Sequence, residues 1–206
     1  MRARLTLPER WLLAASNYFY ARSNGYRVPF SGELIRTVGW AKTGEFSRRS
    51  EGILKNAVSL FGERDTQVLS SMAALWNGCP FCSVGHMLAA NLLHLRDTEQ
   101  LFAIPESAVV EWRRLRDEEI LADVATRLGS SEERLSRRVR RGFELYADPN
   151  APLRDDEDHA LDAMRRLWAI VSECSVHFEI SPEDIPPLAK IALDKPLRAR
   201  YQKLRG

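Results

Sequence analysis

The sequence has few cysteines, almost no excess of charge and no long apolar run, and each shortage excludes a class of protein. Three cysteines in 206 residues are too few for the disulfide framework of a small secreted domain, so a reducing cytoplasm is the expected compartment. A net charge of +2 gives no ground for expecting a nucleic-acid partner. No stretch approaches the roughly 20 apolar residues of a membrane span, so no membrane partner is expected.

The sequence also lacks runs of alternating polar and apolar residues, which would predict β-strands, whereas apolar residues recur with the period of a helix. The predicted fold is therefore all-α, a helical bundle in a single domain over residues 1–206. Its predicted parts are N-terminal helices at 1–62, a helical hairpin at 63–96, a second half at 97–178 and a C-terminal tail at 179–206. Start and stop residues predict helices at 6–22, 31–40, 46–61, 65–76, 79–95, 103–128, 130–146 and 155–178.

Two distant segments share an apolar pattern. Alignment of residues 69–84 with residues 161–176 places Cys79 opposite Val171 and His86 opposite Phe178. The similarity predicts a degenerate internal two-fold repeat, in which the second copy keeps packing residues and lacks the chemistry of the first. The identical pairs are Leu69 and Leu161, Met72 and Met164, Leu75 and Leu167, Trp76 and Trp168, Cys82 and Cys174, Ser83 and Ser175, and Val84 and Val176.

The most informative stretch is residues 76–86, which holds two of the three cysteines and one of the four histidines. Cys79 occupies a helix N-cap position and Pro80 the first helical position, where the missing N–H of proline is no loss. Cys82 then lies in the first turn, and His86, four residues later, lies on the same helical face. Because the N-terminus of a helix favours negative charge, it stabilises a thiolate at Cys82.

This spacing predicts a redox site, with a metal site as the open alternative. In the redox interpretation, His86 accepts the proton of Cys82, and Cys79 closes a disulfide with the oxidised Cys82. In the metal interpretation, these three residues bind zinc together with Cys174 or His177, which lie about 90 residues further along the chain. A thioredoxin-like site is not predicted, because that fold needs a β-strand before the motif and the preceding segment has a helical pattern.

The order Asn-Gly-Cys-x-x-Cys-x-x-x-His after an apolar helix resembles the AhpD-like family, which includes the alkylhydroperoxidase AhpD and carboxymuconolactone decarboxylase-like proteins. The resemblance implies an all-helical fold, often internally repeated, that assembles into homo-oligomers such as dimers, trimers or hexamers. In peroxidase members of the family, the residues matching Cys82, Cys79 and His86 are the reactive thiolate, its resolving or proton-donating partner and the motif histidine. Those members need no metal or organic cofactor. They reduce hydroperoxides, and a dithiol or lipoyl-bearing protein reduces them again.

One position departs from the peroxidase members of that family. They carry a glutamate where this chain has Gln67, twelve residues before the first cysteine of the motif. An amide can orient a neighbour through a hydrogen bond, but it cannot shuttle a proton at pH 7. Glu63, one helical turn earlier, is the other candidate for a proton relay, although we expect it in a loop.

The expected function is that of an enzyme, a cysteine-based dithiol oxidoreductase or peroxidase with antioxidant activity of the peroxiredoxin type. We expect the replacement of the glutamate by Gln67 to impair efficient hydroperoxide turnover more than it impairs dithiol chemistry. The alternative is an oligomeric protein of the AhpD fold that binds a ligand or senses redox state with little turnover. A decarboxylase-like lyase is not pursued, because no acidic pair or arginine cluster lies beside the motif to bind a dicarboxylate.

Two further groups of residues have ordinary explanations. One is a basic cluster, which comprises Arg137, Arg138, Arg140 and Arg141. Because acidic residues flank it, we expect a solvated helix face or a salt network between subunits there rather than a nucleic-acid site. The other is the aromatic set of the first helix, which comprises Trp11, Tyr18, Phe19 and Tyr20. We expect these side chains in the core and at a subunit interface rather than in a cofactor site. His94 is expected in the core or at the surface rather than in the site.

Overall fold

The all-α prediction is confirmed by the computed structural model, which describes residues 5–175 and 184–206 and holds no β-strand within these ranges. Two short 3₁₀ segments, Ser130–Glu132 and Lys190–Leu193, precede α7 and α9. Among the described helices, none is long and apolar enough to cross a membrane. The α-helices are α1 (Leu7–Asn24), α2 (Ser31–Phe61), α3 (Glu63–Trp76), α4 (Pro80–Thr98), α5 (Glu106–Trp112), α6 (Asp117–Leu128), α7 (Glu133–Ala147), α8 (Asp156–Ser175) and α9 (Lys195–Arg205).

The centre of the fold is the hairpin of α3 and α4, whose connection is only residues 77–79. The two helices run antiparallel, and the hydroxyl of Ser71 donates to the carbonyl oxygen of Ser83 at 2.7 Å. Helices α2, α7 and α8 pack on α3, whereas α5 and α9 pack on α4. Since neighbours surround α4, most of its side chains are buried on every side, as expected for a helix that is apolar nearly all round.

Helix α2 consists of two helical parts that meet at a kink. Two helices were predicted, at 31–40 and 46–61, whereas α2 is interrupted only at Gly39. Gly39 has φ 80° and ψ 165°, a conformation that glycine adopts easily because it has no Cβ. The predicted break between two helices is therefore present, but it lies at Gly39 rather than at residues 41–45, which are helical.

The helix predicted at 103–128 is in fact two helices, α5 and α6, with a turn at residues 113–116. Trp112 is buried, and its indole N–H donates to Oδ2 of Asp123 on α6 at 2.7 Å. In one continuous helix, eleven residues would separate the two Cα atoms by about 16 Å, too far for this contact. The tertiary bond and the burial of Trp112 explain a turn that contains no glycine or proline.

The structure does not reproduce the predicted repeat as two equivalent hairpins. Residues 69–84 contain the end of α3, a turn and the start of α4, whereas residues 161–175 belong to the uninterrupted helix α8. The shared apolar residues of the two segments follow the common period of buried helices, which does not require a shared turn. Residue 176 of the second segment lies outside the described residues.

Two arginines of the cluster on α7, Arg138 and Arg141, form an ion-pair network with neighbouring helices of the same chain. Arg138 is buried and donates to Glu157 on α8 and to Asp65 on α3. Its hydrogen bond lowers the pKa of Glu157 to about 2. Arg141 binds Asp158 through two hydrogen bonds, at 2.8 and 2.7 Å. These contacts join α7 to the helices on either side and keep α3 in place for the site described next.

Candidate functional site

The predicted start of the motif helix is confirmed, since α4 begins at Pro80 and Cys79 is its N-cap. Cys79 has an extended backbone, with φ −100° and ψ 93°, and its Sγ accepts a hydrogen bond from the backbone N–H of Cys82 at 3.2 Å. A helix start leaves its first N–H groups without partners inside the helix, and the sulfur satisfies one of them. The same geometry turns the Cys79 side chain back toward the first helical turn.

Cys79 and Cys82 form a disulfide, with their Cα atoms 5.4 Å apart. This separation lies within the usual range for disulfide-bonded residues, so the N-cap geometry brings the two sulfurs together. Both residues are enclosed, with exposed fractions of 0% for Cys79 and 1% for Cys82. They belong to the main hydrophobic core together with Phe81 and Leu188. The sequence motif therefore folds into an enclosed disulfide.

The predicted histidine lies one turn further along α4 and meets the predicted relay residue. Nδ1 of His86 is 2.7 Å from Oε1 of Gln67 on α3. Because an amide oxygen only accepts hydrogen bonds, this pairing puts the imidazole proton on Nδ1 and leaves Nε2 as an acceptor. Nε2 is buried and has no hydrogen-bond partner among the described residues. Gln67 thus fixes both the orientation and the tautomer of the ring.

Burial determines the charge of this histidine. His86 is 4% exposed, and desolvation lowers its pKa from 6.5 to about 3. The imidazole is therefore neutral at pH 7 in the disulfide form. Its ring packs edge-on against Trp168 of α8, with the ring centroids 4.5 Å apart. The indole N–H of Trp168 is also buried without a partner in the described part of the chain.

A segment from the C-terminal part of the chain lies directly on α4 at Gly85, between Cys82 and His86. The backbone N–H of Leu188 donates to the carbonyl oxygen of Gly85 at 2.9 Å. A Cβ at position 85 would lie 2.5 Å from Cγ of Leu188 and 2.8 Å from the carbonyl oxygen of Pro186. Only glycine leaves room for this close approach, which helps to enclose the site.

The structure brings four of the five predicted site residues together and separates the fifth. Glu63 is the first residue of α3 rather than part of a loop, and its side chain is 56% exposed. It forms an ion pair with Arg96 at 3.0 Å, on the surface, so it is not a relay for the dithiol. His94 also lies away from the site, where its Nδ1 is 3.2 Å from Nη1 of Arg64.

The metal interpretation involves residues that the structure describes only in part. The side chain of Cys174 and the whole of His177, the two alternative fourth ligands, lie outside the described residues. Among the described side chains, no group of three or more histidine, cysteine, aspartate or glutamate residues is arranged to hold a metal ion.

Sequence reasoning missed two parts of the site. Trp168 was predicted only as a packing residue of the repeat, and nothing in its own helix indicates the contact with His86. The segment at 185–188 was expected only as part of the C-terminal tail, although the Pro186-Pro187 pair does disfavour a helix there, and residues 185–187 have no regular secondary structure. Gly85 gives a local indication, because glycine inside an otherwise apolar helix is often a point of close backbone approach.

We expect Gly85→Ala to destabilise the protein by about 1–3 kcal/mol, because the added methyl group overlaps Leu188 and Pro186. The matched control is Gly52→Ala in α2, where a Cβ meets nothing within 4 Å and alanine favours the helix by about 0.5–1 kcal/mol. Urea denaturation measures both effects. Gly85→Ala should also speed reduction of the disulfide by a small phosphine. Equal stability and equal reduction rates in both variants would show that residues 185–188 do not enclose the site.

The low pKa of His86 predicts a loss of stability in acid. Between its unfolded pKa of 6.5 and its folded pKa of about 3, the unfolded state binds a proton that the folded state does not bind. Stability therefore falls as the pH falls, by about 2 kcal/mol between pH 7 and pH 5. Denaturation at both pH values should show this loss in the wild type and not in His86→Phe. Other histidines are present in both proteins, so their contributions cancel, and equal losses would contradict the neutral buried imidazole.

Comparisons with known proteins give no family assignment. No protein-family model, no curated protein and no solved structure matches the chain. What the chain shares with the AhpD-like family is the motif of residues 77–86 after an apolar helix, with Gln67 in place of the glutamate. The resemblance to that family thus remains a prediction from these residues.

Proposed function

We propose that the protein is a cysteine-based dithiol oxidoreductase that reduces small hydroperoxides through Cys82, Cys79 and His86. The observation that supports this proposal is a disulfide at the start of a buried helix, one turn from an imidazole whose Nε2 has no partner in the described part of the chain. A buried polar atom without a partner is costly, and such atoms are frequent where a protein carries out chemistry. The proposed setting is a reducing cytoplasm, and the proposed assembly is a homo-oligomer.

The first step oxidises Cys82. In the reduced protein, the thiol of Cys82 gives its proton to Nε2 of His86, and the helix N-terminus stabilises the thiolate. The thiolate attacks the terminal oxygen of the hydroperoxide, a sulfur–oxygen bond forms and the oxygen–oxygen bond breaks. The alkoxide leaves and takes up the proton from His86 to become an alcohol. Sulfur loses two electrons, the peroxide gains two, and Cys82 becomes a sulfenic acid.

The second step uses Cys79, whose position at the N-cap holds its sulfur next to Cys82. The Cys79 sulfur attacks the sulfenic acid, water leaves and the observed disulfide forms. A dithiol or lipoyl-type protein partner then exchanges with this disulfide, becomes a disulfide itself and restores both thiols. The two cysteines give electrons to the peroxide and receive electrons from the protein partner, so the proposed cycle uses no metal or organic cofactor.

Gln67 supports a second candidate function, a binding or redox-sensing protein with little turnover. Its amide orients His86, but it is uncharged and does not raise the pKa of the imidazole as a carboxylate would. Proton transfer from Cys82 is therefore less favourable than it would be beside a glutamate. In this alternative, the disulfide forms slowly in response to oxidant, and its formation changes ligand or partner binding.

Peroxide consumption by the reduced protein, with a dithiol supplied as reductant, distinguishes the two functions. We expect Cys82→Ser to abolish consumption, since no other group takes the role of its thiolate. Cys174→Ser is the control, because it removes a cysteine that has no part in the proposed cycle. Unchanged consumption in Cys82→Ser would falsify the proposed mechanism.

We expect Gln67→Glu to increase the rate of peroxide consumption at least tenfold, because one pKa unit of added basicity at His86 corresponds to about 1.4 kcal/mol. The carboxylate accepts the same hydrogen bond from Nδ1 and adds a negative charge beside the ring. Gln67→Leu is the matched variant that removes the hydrogen bond, and it should consume peroxide more slowly than the wild type. A rate that does not change in Gln67→Glu would favour redox sensing over turnover.

A further inference from the structure

Helix α1 packs on the rest of the protein with its less apolar side. The residues of α1 that are partly buried are spaced by three or four positions, so they form one face of the helix. This face contacts α2 and the 3₁₀ segment Lys190–Leu193. Its members are Glu9, Leu13, Asn17, Ala21 and Asn24. Only one of these five is a large apolar residue, so the inner face of α1 is poor in apolar surface.

The opposite side of α1 is aromatic and exposed. Trp11 is 72% exposed, Tyr18 is 56% exposed and Phe19 is 65% exposed. Leu7 and Leu12 are exposed on the same side. A surface helix normally turns its apolar side toward the core and its polar side toward water. Helix α1 has the reverse arrangement, so its aromatic face has no partner within the described part of the chain.

The size of this aromatic face approaches that of an interface. A fully exposed aromatic side chain presents about 150–250 Å², so Trp11, Tyr18 and Phe19 together expose about 400 Å². Leu7 and Leu12 enlarge the face to about 600 Å², which is what each partner contributes to the smaller stable interfaces. Apolar patches of this size are rare on monomers and usually mark sites of association.

The order of residues along α1 favours a second copy of the same chain as the partner. Ala15 lies at the centre of the aromatic face, with Trp11 four residues before it and Phe19 four residues after it. Leu12 and Tyr18 stand three residues before and after the same point. Trp11 and Tyr18, seven residues apart, lie on one flank of this face, and Leu12 and Phe19 lie on the other. In an antiparallel two-fold interface, each residue meets a residue of the same flank on the opposite side of the axis, so this pattern is complementary to itself. The small side chain of Ala15 lets two helix axes approach to about 8 Å at the crossing point.

We propose that two copies of the chain associate through the aromatic face of α1, with the helices antiparallel about a two-fold axis at Ala15. Trp11 of one copy then packs beside Tyr18 of the other, and Leu12 packs beside Phe19. This interface is independent of the dithiol chemistry, because α1 contributes no residue to the site. A membrane surface fits less well, since helices that lie on membranes carry a solvent-facing polar side rich in lysine and arginine. The polar side of α1 packs on the protein and includes Asn17 and Asn24.

Sedimentation velocity of the full chain tests the interface. We expect the wild type to sediment at twice or more the mass of Ala15→Glu, because a charge at the crossing point of two helices is buried without a partner. Glutamate favours a helix nearly as well as alanine, so α1 remains folded, which circular dichroism checks. The control is Ser16→Glu, one residue later and about 100° further around the helix, which should sediment like the wild type. Equal masses for the wild type and Ala15→Glu would overturn the proposal.

Cross-linking tests the direction of the two helices. In a Cys174→Ser background, Ala15→Cys should form a disulfide-linked dimer within minutes of mild oxidation, because the two copies of residue 15 meet at the axis. Arg22→Cys lies near the aromatic face but seven residues from the axis, so its two copies are about 21 Å apart and should not link. Linking of both variants would indicate parallel helices, and linking of neither would remove α1 from the interface. A wild type that sediments as a monomer and binds phosphatidylglycerol vesicles would contradict the proposal in favour of a membrane.

Discussion

The burial of α4 on every side is the constraint on which the site depends. A polar side chain on such a helix has no water to bind, so it must find a partner inside the protein or remain unpaired at a cost. The hydroxyl of Ser83 donates to the carbonyl oxygen of Pro80, and the amide of Asn91 donates to two carbonyl oxygens, those of Met87 and Ile104. His86 has a partner at Nδ1, and its Nε2 has none within residues 5–175 and 184–206. Among the described residues, the buried side-chain atom of this helix that lacks a partner therefore belongs to the motif.

The hydrogen bond between Gln67 and His86 links the fold to the proposed chemistry. It joins α3 to α4, and it leaves the free lone pair of the imidazole on Nε2. A neutral amide in this place makes a stable core, because it introduces no buried charge. The same neutrality leaves the imidazole a weak base. The stability of the α3–α4 hairpin and the basicity of His86 therefore place opposite demands on residue 67, and Gln67 favours stability.

The sequence was sufficient to predict the features that depend on local chemistry. The helical period identified the all-α fold, and Cys79 with Pro80 identified the start of α4, because N-caps and first-turn prolines act within a few residues. The pairing of Gln67 with His86 could be expected from a short antiparallel hairpin. The contact of Leu188 with Gly85 could not, since it joins segments about 100 residues apart and depends on tertiary packing. The turn after Trp112 was missed for the same reason.

The outward aromatic face of α1 shows a further limit of sequence patterns. The broad aromatic set was visible in the sequence, but a pattern of apolar residues does not say which side of a helix faces its own chain. The structure separates the partly buried Leu13 and Asn17 from the exposed Trp11 and Phe19. Only this separation turns a general expectation of oligomers into a specific interface with a centre at Ala15.

The central claim is that His86 and the start of α4 activate Cys82 as a thiolate, and the pKa of that thiol is its most direct measure. The pH dependence of the rate of Cys82 alkylation gives this value in the reduced protein, with Cys79→Ser and Cys174→Ser to leave one thiol. We expect a pKa below that of a free thiol, about 8.5, and a higher pKa when His86→Phe is added. A pKa at or above about 8.5 that does not respond to His86→Phe would contradict the activated thiolate.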